Sequence, residues 1–199
     1  MNDKTRISWE TFLNPTTLRS NLIVASIYIT AFELLKDAIV HRIRDFFTNG
    51  FDQNGWRIDP KYQSKVLSKN RSPVYASLAW LKDVDAIDDA DTAAFERVKE
   101  LRNKLAHALT SVLYEGLPTD FAERLNEMIS LLDKIERWWI VNVEIATDPD
   151  LHDKQIDETN VIPGPILGLH LLLDIALGSE EESKKYIDEF LKQTRPKTV

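Results

Sequence analysis

The sequence predicts an all-α protein, a helical bundle of four main helices with shorter accessory helices. Apolar residues recur at steps of three and four over most of the 199-residue chain, which is the period of one face of an α-helix. The chain has only 6 glycines, too few for a fold built on many tight turns. Alternation of apolar and polar residues never extends beyond three or four positions, so the pattern does not indicate strands.

The first main helix is predicted from about Leu18 to Phe46. Thr16 or Thr17 is its expected N-cap, and Thr48-Asn49-Gly50 is expected to end it. At about 30 residues, this helix is longer than the 10–14 residues usual in globular proteins. A helix of this length is typical of the spine of a bundle.

Six shorter helices are predicted after it, separated by a loop over 52–60, an acidic turn over 83–91 and the breaker Gly116-Leu117-Pro118-Thr119. Their expected ranges are 60–67, 73–81, 93–114, 119–145, 163–177 and 180–191. The bundle is expected to occupy residues 1–147. An acidic loop and a C-terminal helical appendage, residues 148–199, are expected to pack on the same domain.

Composition excludes several classes of protein. The absence of cysteine removes disulfides, thiolate zinc sites and cysteine nucleophiles. No two of the 4 histidines have the helical spacing of metal ligands, so we expect no metal and no cofactor. The most apolar stretch lies between Arg19 and Glu33 and is shorter than the roughly 20 residues of a membrane span. With no apolar leader at its start, the chain is predicted to be cytoplasmic and without membrane contact.

Charge is distributed unevenly along the chain. Residues 1–114 carry 16 basic and 14 acidic side chains, whereas residues 115–199 carry 9 and 18. The overall charge of −7 argues against nonspecific coating of duplex DNA, which requires clustered Lys and Arg. Within 57–82, however, basic residues predominate, and they form either a solvated surface or a local groove for RNA. The candidate RNA-binding residues are Lys61, Lys65, Lys69 and Arg71, with Lys104 from a later helix.

One helical segment carries three polar groups in six residues, Arg102-Asn103-Lys104-Leu105-Ala106-His107. On a helix, Asn103 and His107 lie about 40° apart and one turn apart in height. Arg102 lies about 140° away from His107, so a single helix does not bring the guanidinium and the imidazole together. Two copies of the helix crossing at a two-fold axis would place two of each in one cleft.

These groups suit cleavage of RNA. An imidazole can take the proton from a 2′-hydroxyl and return one to the leaving oxygen. A guanidinium can bind the phosphate and stabilise the charge of the transition state. DNA has no 2′-hydroxyl and would not be cleaved in this way. Alternatively, Arg102 pairs with a carboxylate such as Glu33, and His107 forms a hydrogen bond to a neighbouring helix.

Glu33 is the expected supporting acid, because it interrupts the inner part of the long helix and a buried carboxylate requires a cation. Arg102 can supply that cation, which would position the guanidinium. The other interpretation places Glu33 on an exposed edge beside Lys36. Both alternatives remain open from the sequence alone.

The segment Arg102-Asn103-x-x-x-His107 resembles the Arg-x4–6-His motif of HEPN domains, in which a polar residue commonly follows the arginine. The match in sequence covers about 98–109. The resemblance implies a helical bundle that forms a homodimer through the motif helices and acts as a metal-independent endoribonuclease, with Arg102, Asn103 and His107 as catalytic residues. It also implies a toxin or anti-phage defence effector, with an antitoxin or defence-system partner. The alternative is a catalytically silent HEPN-like module that binds a protein or a nucleotide.

Overall fold

A computed structural model describes residues 2–53, 55–151 and 157–194 of the chain. Its α-helices in these ranges are α1 (Asp3–Leu13), α2 (Pro15–Phe46), α3 (Pro60–Lys65), α4 (Pro73–Asp83), α5 (Asp89–His107), α6 (Leu109–Glu115), α7 (Phe121–Trp139), α8 (Gly164–Leu177) and α9 (Glu180–Thr194). Short 3-10 helices cover Leu67–Lys69 and Glu158–Asn160, and a π-helical segment, Ile140–Ile145, continues α7. The predicted all-α class is confirmed.

The core lies around α2, which packs against α4, α5 and α7. Leu35, Ile39 and Ile43 of α2 are fully buried at four-residue intervals, as expected for one face of a helix. The facing helices contribute Leu81, Phe95, Val98, Leu105, Met128, Leu132 and Ile135 to the same cluster. These four helices are the main helices of the bundle.

The long helix begins earlier than the sequence indicates. Asn14 is its N-cap, and its Oδ1 accepts hydrogen bonds from the backbone N–H groups of Thr16 (3.0 Å) and Thr17 (3.3 Å). Pro15 occupies the first helical position, where its missing N–H costs no hydrogen bond. The prediction of Thr16 or Thr17 as the cap is therefore wrong, because Asn14 supplies the side-chain acceptor two residues earlier.

The predicted loop over 52–60 is also wrong in part. Two short antiparallel strands, β1 (Thr48–Asp52) and β2 (Gly55–Ile58), form a hairpin after α2. Gly50 and Gly55 have φ values of +132° and +105°, which side chains with a Cβ rarely adopt. The exposed Phe51 and Trp56 rings pack edge to face across the hairpin, with centroids 5.4 Å apart.

The helix predicted over 93–114 is divided in the structure. α5 ends at His107, Ala108 has φ −124° and ψ 33°, and α6 begins at Leu109. Helix α1, which the sequence analysis did not predict, packs against α6. The Phe12 ring stacks on the Tyr114 ring with centroids 4.5 Å apart.

The two C-terminal helices, α8 and α9, extend the bundle. Ile166 and Leu169 of α8 belong to the same buried cluster as α2 and α7, and α9 packs on α8. Part of the predicted acidic loop (152–156) and the basic tail (195–199) lie outside the described residues. Among the described helices, none has the length and apolar character required to cross a membrane.

Candidate functional site

Helix α5 presents the motif on the surface because its apolar face is held in the core. Leu101 and Leu105 are buried, and they fix the rotation of the helix about its axis. Arg102 and Asn103 are consequently half-buried at its edge, and His107, the last helical residue, is exposed. The motif therefore lies where α5 gives way to α6.

The Arg102 guanidinium is held in place by α2. Its Nη2 donates a hydrogen bond to Glu33 Oε1 at 3.0 Å, and its Cζ lies 5.5 Å from the centroid of the Phe32 ring, within the range of a cation–π contact. Arg102 Nε is buried and has no hydrogen-bond partner among the described residues. The ion pair that the sequence suggested for Arg102 is therefore present, and the guanidinium keeps donors that the protein does not use.

Glu33 bridges two cations. Lys36 Nζ lies 3.0 Å from Oε2, while Oε1 accepts the hydrogen bond from Arg102. The hydrogen bond from Lys36 and that from Arg102 lower the pKa of Glu33 below its usual value, against the opposing effect of partial burial. Glu33 thus contacts the partners named in both sequence alternatives, but its carboxylate is half-exposed and not buried as the first alternative supposed.

His107 and Asn103 have polar side chains that the fold leaves without a hydrogen bond among the described residues. The His107 ring is exposed, and neither residue has a side-chain hydrogen bond or ion pair with the described part of the chain. The alternative in which His107 bonds a neighbouring helix within the same chain does not match this arrangement. Both side chains are available to a ligand or to another protein chain.

A cavity of about 280 Å³ opens beside Arg102, between α2, α4 and α5. Three cations, Lys36, Lys99 and Arg102, line it with the Glu33 carboxylate, and Asn103 completes its α5 side. Lys99 Nζ forms a hydrogen bond with the Tyr75 hydroxyl, which raises the pKa of Lys99. The cavity is therefore rich in positive charge at the position of the motif.

Lys36, Lys99 and Tyr75 were not predicted as site residues. The sequence carried a signal for Lys99, because it precedes Asn103 by four positions and so lies on the same face of α5. Tyr75 carried none, since its place beside α5 depends on how α4 packs. The apolar walls of the cavity come from Phe32, Val74 and Phe95.

The predicted RNA-binding residues lie outside the lining of the cavity. Lys61 and Lys65 are exposed residues of α3, and Lys69 forms an ion pair with Asp83. Arg71 is exposed and directly precedes Ser72, which lines the cavity. Lys104 pairs with Glu100 at 3.2 Å and borders other surface depressions of α5. None of these five basic residues lines the cavity itself within the described part of the structure.

The described residues contain no group of three or more His, Asp or Glu side chains placed to hold a metal ion. Comparisons with protein-family models, with curated proteins and with solved structures found no match. The resemblance to HEPN domains therefore depends on the motif of α5 and on its place in a helical bundle.

Proposed function

We propose that this protein is a metal-independent HEPN-type endoribonuclease that acts as a homodimer. It would serve in the cytoplasm as a toxin or anti-phage effector under the control of an antitoxin or another defence component. One observation carries the proposal: α5 presents a guanidinium fixed by Glu33 and, at its exposed end, an unpaired imidazole. These are the two groups that cleavage of RNA by its own 2′-hydroxyl requires.

In the proposed reaction His107 accepts the proton of the 2′-hydroxyl as the 2′-oxygen attacks the adjacent phosphorus. The bond from phosphorus to the 2′-oxygen forms, and the bond to the 5′-oxygen breaks. The imidazolium returns the proton to the departing 5′-oxygen. Arg102 stabilises the negative charge of the pentacoordinate transition state through its N–H donors. The products are a 2′,3′-cyclic phosphate and a 5′-hydroxyl, and no cofactor takes part.

The geometry of α5 supports the proposed dimer. Arg102 and His107 are five residues apart, which separates them by about 7.5 Å along the axis and about 140° around it. Glu33 holds Arg102 on the α2 side, so the two groups diverge within one chain. A second α5 crossing near His107 would place its imidazole beside the first guanidinium, and the exposed Leu109 supplies apolar contact at that point.

The test is cleavage of single-stranded RNA beside DNA of the same sequence, each with and without EDTA. We expect RNA to be cut in both conditions, DNA to remain intact, and the RNA products to carry a 2′,3′-cyclic phosphate or the monophosphate formed by its hydrolysis. Cleavage that is lost in EDTA and restored by magnesium, or cleavage of the DNA strand, would contradict the proposal.

The second candidate function is a silent helical module that binds a protein or a nucleotide. The ion pair between Arg102 and Glu33 favours it, because a structural arginine would make the same contact. The exposed His107 does not, since a structural role offers it no partner among the described residues. Absence of RNA cleavage with retention of partner or nucleotide binding would select this module.

A further inference from the structure

The cavity beside Arg102 has the properties of an anion site. Its lining carries three cations, Lys36, Lys99 and Arg102, against the single carboxylate of Glu33. Glu96 lies outside the lining, and its carboxylate is 3.7 Å from Lys99 Nζ. Among the described residues it is the only further acid within ion-pair distance of these three cations. Positive charge therefore exceeds negative charge at the cavity even when Glu96 is included.

The α4 side of the cavity also favours an anion. Ser72, Val74 and Tyr75 line it, and they belong to the beginning of α4, whose N-cap Ser72 makes no side-chain capping hydrogen bond. The first backbone N–H groups of a helix have no partner within the helix and carry partial positive charge. Pro73 has no N–H, so Val74 and Tyr75, which line the cavity, carry the first free backbone N–H groups on the α4 side.

Helix α5 leads from the cavity, whose lining includes Lys99 and Asn103, toward His107. Lys99, Asn103 and His107 follow one another at four-residue intervals, so they form a row on one side of the helix. The row extends about 12 Å from the lysine in the cavity to the exposed imidazole. A flexible phosphate chain can follow such a row, whereas a single small anion would occupy only its cavity end.

We propose that this cavity binds one phosphodiester of the RNA strand, next to the phosphodiester that is cleaved. The inference rests on the proposed ribonuclease function and deepens it by assigning Lys36 and Lys99 to substrate binding. At about 280 Å³ the cavity lies just below the 300–1,000 Å³ usual for sites that enclose a small ligand. That size suits one segment of a longer strand.

The salt dependence of binding tests this assignment without any cleavage. The probe is a single-stranded RNA with 2′-O-methyl groups, whose blocked 2′-oxygens cannot attack phosphorus. Its affinity is measured by fluorescence anisotropy at several salt concentrations for the unmodified protein, Lys99→Met and Lys36→Met. Lys184→Met is the matched control, because Lys184 is an exposed lysine of α9 with one ion pair, to Glu180.

We expect each cavity variant to reduce the slope of log affinity against log salt by up to about 0.7, the value for one phosphate contact on a single strand, because the two lysines share one phosphodiester. At 0.1 M salt this slope corresponds to a loss of about five-fold in affinity. Lys184→Met should leave slope and affinity unchanged, and Lys99→Arg should retain both because it keeps the positive charge. Thermal unfolding checks that every variant is folded.

Two results would overturn the inference: no binding of the probe by the unmodified protein, or slopes for Lys99→Met and Lys36→Met equal to that of Lys184→Met. Cleavage of unmodified RNA, measured in parallel, separates this failure from that of the function. Unchanged slopes with His107-dependent cleavage would reject the cavity and keep the ribonuclease. Reduced slopes without any cleavage would keep the phosphate site and reject the ribonuclease.

Discussion

The polar side chains at the two ends of helix α5 differ in how fully they are paired within the fold. At the N-terminal end, Asp88 Oδ1 accepts the Asp91 N–H at 3.0 Å, and Asp91 Oδ2 accepts the Asp88 N–H at 2.9 Å. Lys134 of α7 pairs with both carboxylates. At the C-terminal end, Asn103 and His107 have no side-chain hydrogen bond or ion pair in the described structure, whereas Arg102 pairs with Glu33 and keeps a buried Nε without a partner.

This difference in pairing indicates that one end of α5 serves stability and the other end serves function. Groups that are paired within the fold, such as the capping box at Asp88, stabilise the helix and leave little capacity for a ligand. Polar groups left without partners contribute little to folding, and the donors and acceptors they retain are available for binding. We therefore expect substitutions at the first end to change stability alone, and substitutions of the unpaired His107 at the second end to change activity alone. Arg102→Ala also breaks the ion pair with Glu33, so it should lower stability slightly as well as activity.

The largest expected effect is on cleavage at the C-terminal end. His107→Ala removes the general acid–base and should reduce the rate of RNA cleavage by about 10²–10⁴. Arg102→Ala removes a donor to the transition state and should cost about 10²–10³. Rates are measured with RNA in excess, and thermal unfolding of each variant is followed in parallel.

His107→Gln and Arg102→Lys are the conservative controls, because they keep size or charge but lose the proton transfer or the two-pronged guanidinium. They should be nearly as inactive as the alanine variants. Because His107 is exposed and unpaired, its replacement should leave the melting temperature almost unchanged. If the variants fold and keep full activity, His107 and Arg102 are not catalytic. The proposed difference in function between the two ends of α5 would then be wrong.

A smaller effect on RNA cleavage, with both kcat and KM lowered, is expected from substitution of Glu33. Glu33→Ala releases Arg102 from its 3.0 Å contact and should lower kcat by about 10-fold to 10²-fold through misplacement of the guanidinium. The same change removes the carboxylate from a cationic cavity, so KM for RNA should fall. Glu33→Gln keeps an acceptor for Arg102 and should retain more of kcat. An unchanged kcat would contradict the positioning role, and an unchanged KM would contradict the effect of Glu33 on the charge of the cavity.

The smallest effect is expected at the capping box. Asp88→Ala should lower the melting temperature by a few degrees and leave RNA cleavage unchanged. The backbone hydrogen bond from Asp91 and the side-chain hydrogen bond from Lys134 hold the pKa of Asp88 below its usual value. Its contribution to stability is therefore complete above about pH 4 and is lost as the pH falls through the lowered native pKa.

Asp88→Asn is the control for that pH dependence, because asparagine is also a good N-cap but does not titrate. The difference in melting temperature between the unmodified protein and Asp88→Asn should narrow as the solution is acidified below pH 4. A difference that stays constant to pH 2 would show that ionisation of Asp88 does not stabilise α5. A loss of cleavage in either variant would mean that the two ends are coupled.

The sequence was most informative where periodicity and burial coincide. The α2 spine and the inward face of α5 follow from apolar residues at helical intervals, and both are present. The division at Ala108 was not predictable in the same way, because apolar residues continue at helical steps from Leu105 through Leu109 to Val112. The hairpin after α2 has strands of only 5 and 4 residues, although the pair Asn54-Gly55 is a common turn signal in sequence.

The residues of the site could be predicted where they lie on a single helix. The spacing of Arg102, Asn103 and His107 could be interpreted on α5 alone, and the pairing of Arg102 with Glu33 was one of two alternatives that the sequence left open. Tyr75 and Lys36 could not be assigned, because their positions depend on how α4 and α2 pack against α5. The basic residues of 57–82 were grouped by sequence, and Lys61, Lys65, Lys69 and Arg71 are not among the residues that line the cavity.

The most direct test of the shared site is a mixture of two inactive variants. Arg102→Ala retains His107, and His107→Ala retains Arg102, so a dimer with one chain of each carries one guanidinium and one imidazole in the common cleft. After the two proteins are mixed and allowed to exchange subunits, we expect RNA cleavage to recover to a substantial fraction of the unmodified rate, although each variant alone is inactive. A mixture as inactive as its components, or an active protein that is monomeric by light scattering, would contradict a site formed by two copies of α5.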